Sequence, residues 1–514
     1  MCMHPTIGDT LEQTVRRQPE SAAIVYPRKD HRWTYAEFDE RVNRLANALA
    51  DLGVEKGDRV ATLLFNGSEM ALAVYACAKL GAVFTPLNFR LSSEELTYIV
   101  TDADAQALLF ENATKDTVEQ AHDDLEPIEH YLYIDDDVPD YAADFYGLLE
   151  AGDPAAPETV VEEDDVYAFI YTSGTTGRPK GVVHEHRSMV EHNLLCIAEA
   201  NLTDDDIGLS MLPMYHCAEL HANLFPRVHR GATNVIHHEF DPPAALEAIE
   251  THEVSVVFAA PTAWNGLAQA AAEMDADTSS LRLGMYGASP MPAEILERCM
   301  DELCEDYLQA YGMTEIGPCG VFQTPEEQLT KQGSAGRPAL NHDVRIVEPD
   351  GLPEAELERG EVGEILLTGP CTMAEYWNRP EETAASLRDD GERTWYYTGD
   401  LGYLDADRYL YVVDRKDDMI ISGGENIYPT EVEDVLFSHP AVTEAAVVGE
   451  DDDEWGERVV AYVVGDTDAD ELERYARDSD ALANFKRPRE YYLVDELPKN
   501  PSGKVQKFKL RTDD

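Results

Sequence analysis

The sequence predicts an α/β protein: a large N-terminal domain of helix-covered parallel sheets plus a β-rich subdomain, followed by a small α+β C-terminal domain. Three observations carry this. From about residue 55, short apolar runs alternate with helical patterns, as they do where crossover helices join parallel strands. After about residue 360, strand patterns follow one another. Beyond Asp414 a compact mixture of strands and helices begins, which sets the expected domains at 1–414 and 415–514. At 514 residues the chain is also too long for one core.

The individual elements follow in order. Val60 to Phe65 is a strand pattern, and Met70 to Leu80 is a helix apolar nearly all round. Ser92-x-x-Glu95 is a capping box opening the next helix, with a strand at Ala107 to Phe110. Asp241 caps a helix whose first position is Pro242. Strands follow at Val254 to Phe258 and Leu281 to Tyr286, and a helix from Pro292 to about Leu303. In the β-rich stretch, Glu364 to Thr368 and Trp395 to Thr398 are strands. Tyr403-Leu404 and Tyr409 to Val413 form a hairpin about the acidic turn Asp405-Ala406-Asp407. In the C-terminal part, Thr430-x-x-Glu433 caps a helix. Val442 to Val448 and Val459 to Val464 are strands, and a further helix lies near Asp470 to Arg477.

Composition excludes several functions. There are 101 acidic side chains against 40 Lys plus Arg, a formal net charge of −61, which disfavours nucleic acid and anionic lipid as partners. The acids recur along the whole chain, between apolar segments that a disordered acidic protein would lack. An acidic shell of this kind suits a salt-rich cytoplasm, where at 1 M salt the Debye length falls to about 3 Å. No stretch approaches the roughly 20 apolar residues of a membrane span, and Met1 to Thr10 lacks a secretory pattern, so a cytoplasmic protein without stable membrane insertion is expected. The eight cysteines include no CxxC pair and are expected to be buried and reduced.

The strongest local signal is Tyr171-Thr172-Ser173-Gly174-Thr175-Thr176-Gly177-Arg178-Pro179-Lys180-Gly181, placed directly after the apolar strand Val166 to Ile170. Its glycines permit tight turns with exposed N–H groups, while its hydroxyls and Lys180 add donors. Such a loop suits a polyphosphate, although its spacing is not that of a Walker A loop. His184-Glu185-His186 and His192 lack the spacing of a zinc motif and no cysteine or carboxylate cluster accompanies them in sequence, so they are expected to be structural.

This loop resembles, almost letter for letter, the phosphate-binding signature of the adenylate-forming superfamily of acyl- and aryl-CoA ligases, luciferases and peptide-synthetase adenylation domains. Further motifs similar to that family's follow in its order over nearly the whole chain. The resemblance implies a mobile C-terminal domain, an active site in the cleft between the domains, and ATP, Mg²⁺ and coenzyme A as cofactors. Gly287-Ala288-Ser289-Pro290 resembles the segment bordering adenine. In Tyr311-Gly312-Met313-Thr314-Glu315 the ring would pack on adenine, Thr314 contact phosphate and Glu315 hold the metal. Tyr397-Thr398-Gly399-Asp400 resembles the ribose motif, with Asp400 accepting the hydroxyl protons. Arg415 would contact nucleotide, Asp417 matches the hinge, and Gly424 would line the pantetheine path. Lys504, in Pro498-Lys499-Asn500-Pro501-Ser502-Gly503-Lys504, matches the catalytic lysine.

For the acid itself, Pro213-Met214-Tyr215-His216 resembles the segment bordering the carboxylate, making Tyr215, His216 and Gly312 the expected substrate pocket. No acid stands there to pair an amino group, and Gly312 occupies the place of an indole in acetate-activating relatives, so an acid larger than acetate is expected. The run with Arg230-Gly231-Ala232 looks most like fatty-acyl-CoA synthetases of medium- or long-chain type. Aryl acids, succinylbenzoate and the loading of a separate carrier protein are the alternatives. The partners expected are a small carboxylic acid, ATP and CoA, with a homodimer left open.

Overall fold

The computed structural model describes residues 5–172, 178–274, 276–423, 425–452, 455–479, 482–499 and 505–510. The chain divides into two compact units. The first takes in Met1–Thr172, Pro179–Asp343 and Leu367–Leu387, and the second is built mainly from Val344–Leu366 and Arg388–Asp514.

Two sheets organise the first unit. In one, the strands Ala22–Tyr26, Thr233–Ile236, Ile207–Ser210, Val256–Ala259, Leu283–Gly287 and Tyr307–Tyr311 lie side by side in that order, every neighbouring pair parallel. In the other, Val166–Thr172, Val83–Pro86, Arg59–Leu63, Ala105–Phe110 and His130–Tyr133 are likewise parallel. The strand Lys180–Glu185 and the short strand Glu375–Tyr376 then add antiparallel at the edge beside Val166–Thr172. Strands buried on both faces need helices on both faces, and the sequence supplies them. Helix Ser68–Leu80 is buried at every position, so even Lys79 is enclosed, donating to Asp39 at 2.7 Å and Asn43 at 2.8 Å. The Ser92–Glu95 capping box opens helix Ser93–Ala103, and Asp241 accepts from Ala244 N–H at the start of Pro242–His252.

The second unit has two sheets of its own. Asp343–Val347, Gly363–Thr368, Thr394–Leu404, Leu387–Asp389 and Leu410–Arg415 form the first, and the expected acidic hairpin joins its two strands with Leu404 opposite Leu410. Ile420–Ser422, Glu425–Ile427, Gly456–Gly465, Val442–Asp452 and Glu490–Leu493 form the second. The stretch around Asp414, expected as a domain boundary, therefore marks a change of sheet, while the compact division falls earlier in the chain. One cap differs from expectation. Helix Pro429–Phe437 takes no side-chain cap from Thr430; instead the Asp414 carboxylate accepts the Thr430 N–H at 2.8 Å. Glu433 turns inward, accepting the Val447 N–H at 2.7 Å and pairing with Lys507 at 2.8 Å. A carboxylate at a helix N-terminus is stabilising from whatever part of the chain it comes, and only packing reveals a distant acceptor.

Burial in the first unit has a pH consequence. Burial holds His184, His186, His229 and His342 down to about 4 and His192 to about 3. The unfolded chain takes up protons near pH 6.5 while the folded one does not, so this stability is full above that pH and is lost as pH falls towards 4. Glu111, raised by burial to about 7, acts oppositely, its contribution being lost as pH rises from 4.5 to 7. Among the described residues burial lowers eleven histidines and raises seven carboxyls, Glu111 among them, so thermal melts at fixed KCl should fall between pH 6.5 and 5, before most carboxylates protonate. In His184→Phe that slope should flatten by up to about 1.4 kcal/mol per pH unit; an identical slope would refute the assignment.

Candidate active site

The edge of the second sheet of the first unit carries the Ser/Thr/Gly-rich loop. Its two ends are neighbouring strands, with Thr172 directly opposite Lys180 and Tyr171 opposite Gly181. Ser173, Gly174, Thr175, Thr176 and Gly177 lie outside the described residues; the residues flanking them are described. Tyr171 donates its hydroxyl to Asp102 Oδ2 at 2.8 Å, and Arg379 donates to Asp102 Oδ1 at 2.7 Å. Tyr98 donates to the Pro179 carbonyl at 3.1 Å and accepts from Arg379 at 3.0 Å. Trp377 donates its indole N–H to the Asp102 carbonyl at 3.0 Å and its main-chain N–H to the Gly181 carbonyl at 2.8 Å. Both ends of the loop are thus tied to one carboxylate and its neighbours. Asp102, Arg379 and Trp377 were missed in sequence because their partners lie 69 to 277 residues away.

The first sheet of the same unit delivers the next groups at the carboxyl ends of its parallel strands, the end where open α/β sheets bind ligands. Gly287 ends Leu283–Gly287 opposite Ala310, and a Cβ there would meet the Ala310 carbonyl at 2.6 Å. Ala288 follows in the left-handed region at φ +67°, strain of about 1 kcal/mol that a turn at a binding site commonly carries. Ala288 and Ser289 are exposed. Tyr311 closes the adjacent strand, and Thr314 and Glu315 form the short helical turn that follows, both buried. Thr314 Oγ1 lies 3.1 Å from Cys217 Sγ. Gly312 does not widen a pocket as its lack of a side chain suggests. A Cβ there would point at the Pro318 carbonyl oxygen, 2.1 Å away, so close backbone approach accounts for the glycine.

Glu315 has a partner that motif reading did not find. Tyr376 donates its hydroxyl to Glu315 Oε1 at 2.7 Å, and the Lys180 ammonium lies 4.4 Å from the centroid of the same ring. Oε2 has no hydrogen-bond partner among the described residues. A buried carboxylate with one oxygen free, beside a lysine at the root of a phosphate-type loop, has the hard oxygen chemistry a divalent cation such as Mg²⁺ takes.

The segment after Ile207–Ser210 holds Tyr215 and His216. The strand leading to it is pinned by a buried ion pair in which Arg227 donates to Glu219 and to Ser210 Oγ, at 2.8 and 2.7 Å. His216 is exposed, its Nδ1 accepting the Ala218 N–H at 3.1 Å. Tyr215 meets Phe89 edge to face at 5.5 Å, and Phe89 stacks on Phe65 at 3.8 Å, so the residues around this segment are aromatic.

In the second unit, Asp400 and Arg415 face each other across paired strands, Arg415 donating to Asp400 Oδ1 at 2.7 Å. Asp400 is 6% exposed. Asp417 lies exposed on the turn Lys416–Asp418 that joins the two sheets. Lys416 beside it is held by Asp350 at 2.9 Å and Glu364 at 3.1 Å. Gly424 and Lys504 lie outside the described residues.

One buried group has the composition of a metal site: His192, Cys196 and Cys319 converge within 4.8 Å. Its geometry does not fit one. His192 Nε2 accepts the Cys319 N–H at 3.1 Å, and Cys196 Sγ is 3.7 and 3.8 Å from the two ring nitrogens, facing neither lone pair head-on. Cys196, four residues on from His192, and Cys319 from a distant segment meet it as core packing.

A strained turn, a clamped hydroxyl-rich loop and a half-satisfied buried carboxylate at the carboxyl ends of parallel strands define a nucleotide-handling α/β enzyme. Residues 11–377 match the AMP-binding enzyme family, and residues 431–504 match the AMP-binding enzyme C-terminal domain. The chain belongs to this family, within its acid–CoA ligases. It is 39% identical over 482 residues to a feruloyl-CoA synthase of Amycolatopsis sp, covering 93% of each chain. It is 35% identical over 512 residues to the long-chain-fatty-acid–CoA ligase FadD13 of Mycobacterium tuberculosis, covering 98% of each. Among solved structures it is similar to o-succinylbenzoate CoA synthetase of Bacillus subtilis. The form with the acyl-adenylate intermediate superposes with TM-score 0.87 at 35% identity, covering 100% and 99% of the chains. The form with ATP and magnesium gives TM-score 0.84.

Asp102→Ala should cost on the order of 2 kcal/mol, because Arg379 and Tyr171 lose a common acceptor in a partly solvated setting. It should also weaken ATP binding, since the loop root is freed. Denaturant titration and nucleotide titration together check this; lost stability with unchanged ATP affinity would show that the clamp does not act on the loop.

Proposed function

We propose that the protein activates a carboxylic acid with ATP, forming an acyl-adenylate and pyrophosphate, and then transfers the acyl group to coenzyme A with release of AMP. The observation that carries the reading is the meeting of Lys180, Tyr376 and Glu315 beside the clamped loop. It supplies a cation and a metal-ligating carboxylate where two anionic reactants must approach. A carboxylate attacking an α-phosphate faces charge repulsion, and preorganised donors offset it without reorganisation during the reaction. Glu315 would hold Mg²⁺, which supplies charge neutralisation at the phosphates when bound. Lys180, Thr172 and the loop amides would orient the polyphosphate. Thr314 would contact phosphate, Gly287 to Ser289 with Tyr311 would border the adenine, and Asp400 with Arg415 would take the ribose.

The second unit would serve both half-reactions. Lys504 is assigned to adenylation, and the Gly424 segment to the path of the CoA thiol, with Asp417 as the hinge between the two arrangements. For the acid, Gly312 no longer argues for a large pocket. The aromatic surroundings of Tyr215 favour an acid carrying an aryl ring, since ring pairs gain about 0.5–1.5 kcal/mol beyond their buried area. Relatives acting by name on feruloyl and succinylbenzoyl groups support this order. A medium- or long-chain fatty acid is the second reading, supported by the fatty-acid relative.

The net charge of −61 bears on any assay. ATP, CoA and the acid are all anions, and salt at about 1 M would screen their repulsion from the surface. In molar KCl, the protein should release AMP and pyrophosphate with an acid and CoA present, with turnover on hydroxycinnamic or succinylbenzoic acids exceeding that on C8–C16 fatty acids. ADP as product would end the proposal, and the reverse preference would restore the fatty-acid reading. Lys504→Ala should slow adenylation by about 100-fold or more while sparing thiolysis of a supplied acyl-adenylate; equal loss in both half-reactions would remove its assigned role.

A further inference from the structure

We propose that Tyr376 is a positioning residue that keeps the cation Lys180 and the carboxylate Glu315 apart, so that each stays available to its own ligand. The inference rests on the nucleotide reading of this site but not on the identity of the acid. Lys180 and Glu315 carry opposite charges in one neighbourhood, yet no ion pair joins them among the described residues. Tyr376 contacts both. Its face takes the Lys180 ammonium at 4.4 Å from the centroid, and its hydroxyl donates to Glu315 Oε1 at 2.7 Å. A direct pair would consume both charges. An aromatic face attracts a cation without neutralising it, and a phenol hydrogen bond fixes one carboxylate oxygen while leaving the charge in place.

The surroundings hold the ring in this role. Tyr376 is 3% exposed and lies on the short strand Glu375–Tyr376, paired with Val182 and Val183 two and three residues after Lys180. Its N–H donates to Thr383 Oγ1 at 3.0 Å. From the same segment, Met373 N–H donates to the Glu315 carbonyl at 2.8 Å. Residues 373–376 therefore bind the Lys180 strand by sheet pairing and Glu315 by both main chain and side chain. Oε1 is occupied by the phenol, and Oε2 is the oxygen left for a divalent cation.

The test uses the full-length protein in molar KCl, with Mn²⁺ as the probe cation and α,β-methylene-ATP as the nucleotide, free Mn²⁺ being read by its paramagnetic resonance signal. Tyr376→Phe keeps the ring over Lys180 and removes only the hydroxyl. It should weaken Mn²⁺ binding about tenfold, the loss expected for one hydrogen bond to a charged group, with nucleotide affinity unchanged. Tyr376→Leu should weaken both. In a Glu315→Gln background, Tyr376→Phe should add nothing further. Wild-type Mn²⁺ affinity in Tyr376→Phe overturns the proposal, as does an equal loss in the Glu315→Gln background or an absence of Mn²⁺ binding by the wild type. Mn²⁺ and nucleotide binding with this pattern but without any acid-dependent pyrophosphate exchange would instead uphold the inference and defeat the proposed ligase reaction.

Discussion

The antiparallel pairing of Thr172 with Lys180, at the edge of an otherwise parallel sheet, is the constraint on which the rest of this site depends. A hydroxyl-rich loop has no apolar surface with which to hold itself in place, and ordering its backbone costs on the order of 1–2 kcal/mol per residue. Ladder hydrogen bonds fix both ends, and Asp102 gathers Tyr171 and Arg379 while Trp377 and Tyr98 secure Gly181 and Pro179. The same edge position lets Glu375–Tyr376 add as a further strand, and that addition brings Tyr376 to both Lys180 and Glu315. One pairing thus fixes both ends of the loop and places the groups beside it.

Charge is the second constraint. With 40 basic residues among 101 acidic ones, an unassigned cation finds an acid nearly anywhere. Many of the basic side chains here do so: Arg379 with Asp102, Arg227 with Glu219, Arg415 with Asp400 and Lys416 with Glu364. Lys180 is held on an aromatic face instead. In a protein this acidic, a lysine outside an ion pair requires a structural arrangement, and the aromatic ring provides one.

Much of the fold was legible because its signals are local. The helix Ser68–Leu80 announces itself by an unbroken apolar surface, the capping box at Ser92 and the N-cap at Asp241 by side chains three residues from their targets, and the hairpin at Asp405 by its turn. The family resemblance rested on contiguous motifs for the same reason. Reading failed where the deciding atom came from far along the chain. Thr430 does not cap its own helix because Asp414 reaches its N–H first in the packed structure. At Gly312 the reason for the glycine is the Pro318 carbonyl, which a Cβ would meet at 2.1 Å. Cys319 joins His192 across 127 residues, a proximity that no spacing rule encodes.

By itself, then, the sequence determined the α/β class, the acidic surface, the run of motifs and the kinship with acid–CoA ligases, since propensity, periodicity and contiguous residue patterns are written along the chain. Tertiary structure alone decided that Asp102 ties the ends of the loop, that Tyr376 meets both Lys180 and Glu315, and that the residues around Tyr215 are aromatic. Those are meetings of side chains from separate strands and loops. They depend on which sheet edges pair and in what register, and that is settled only when the whole core packs.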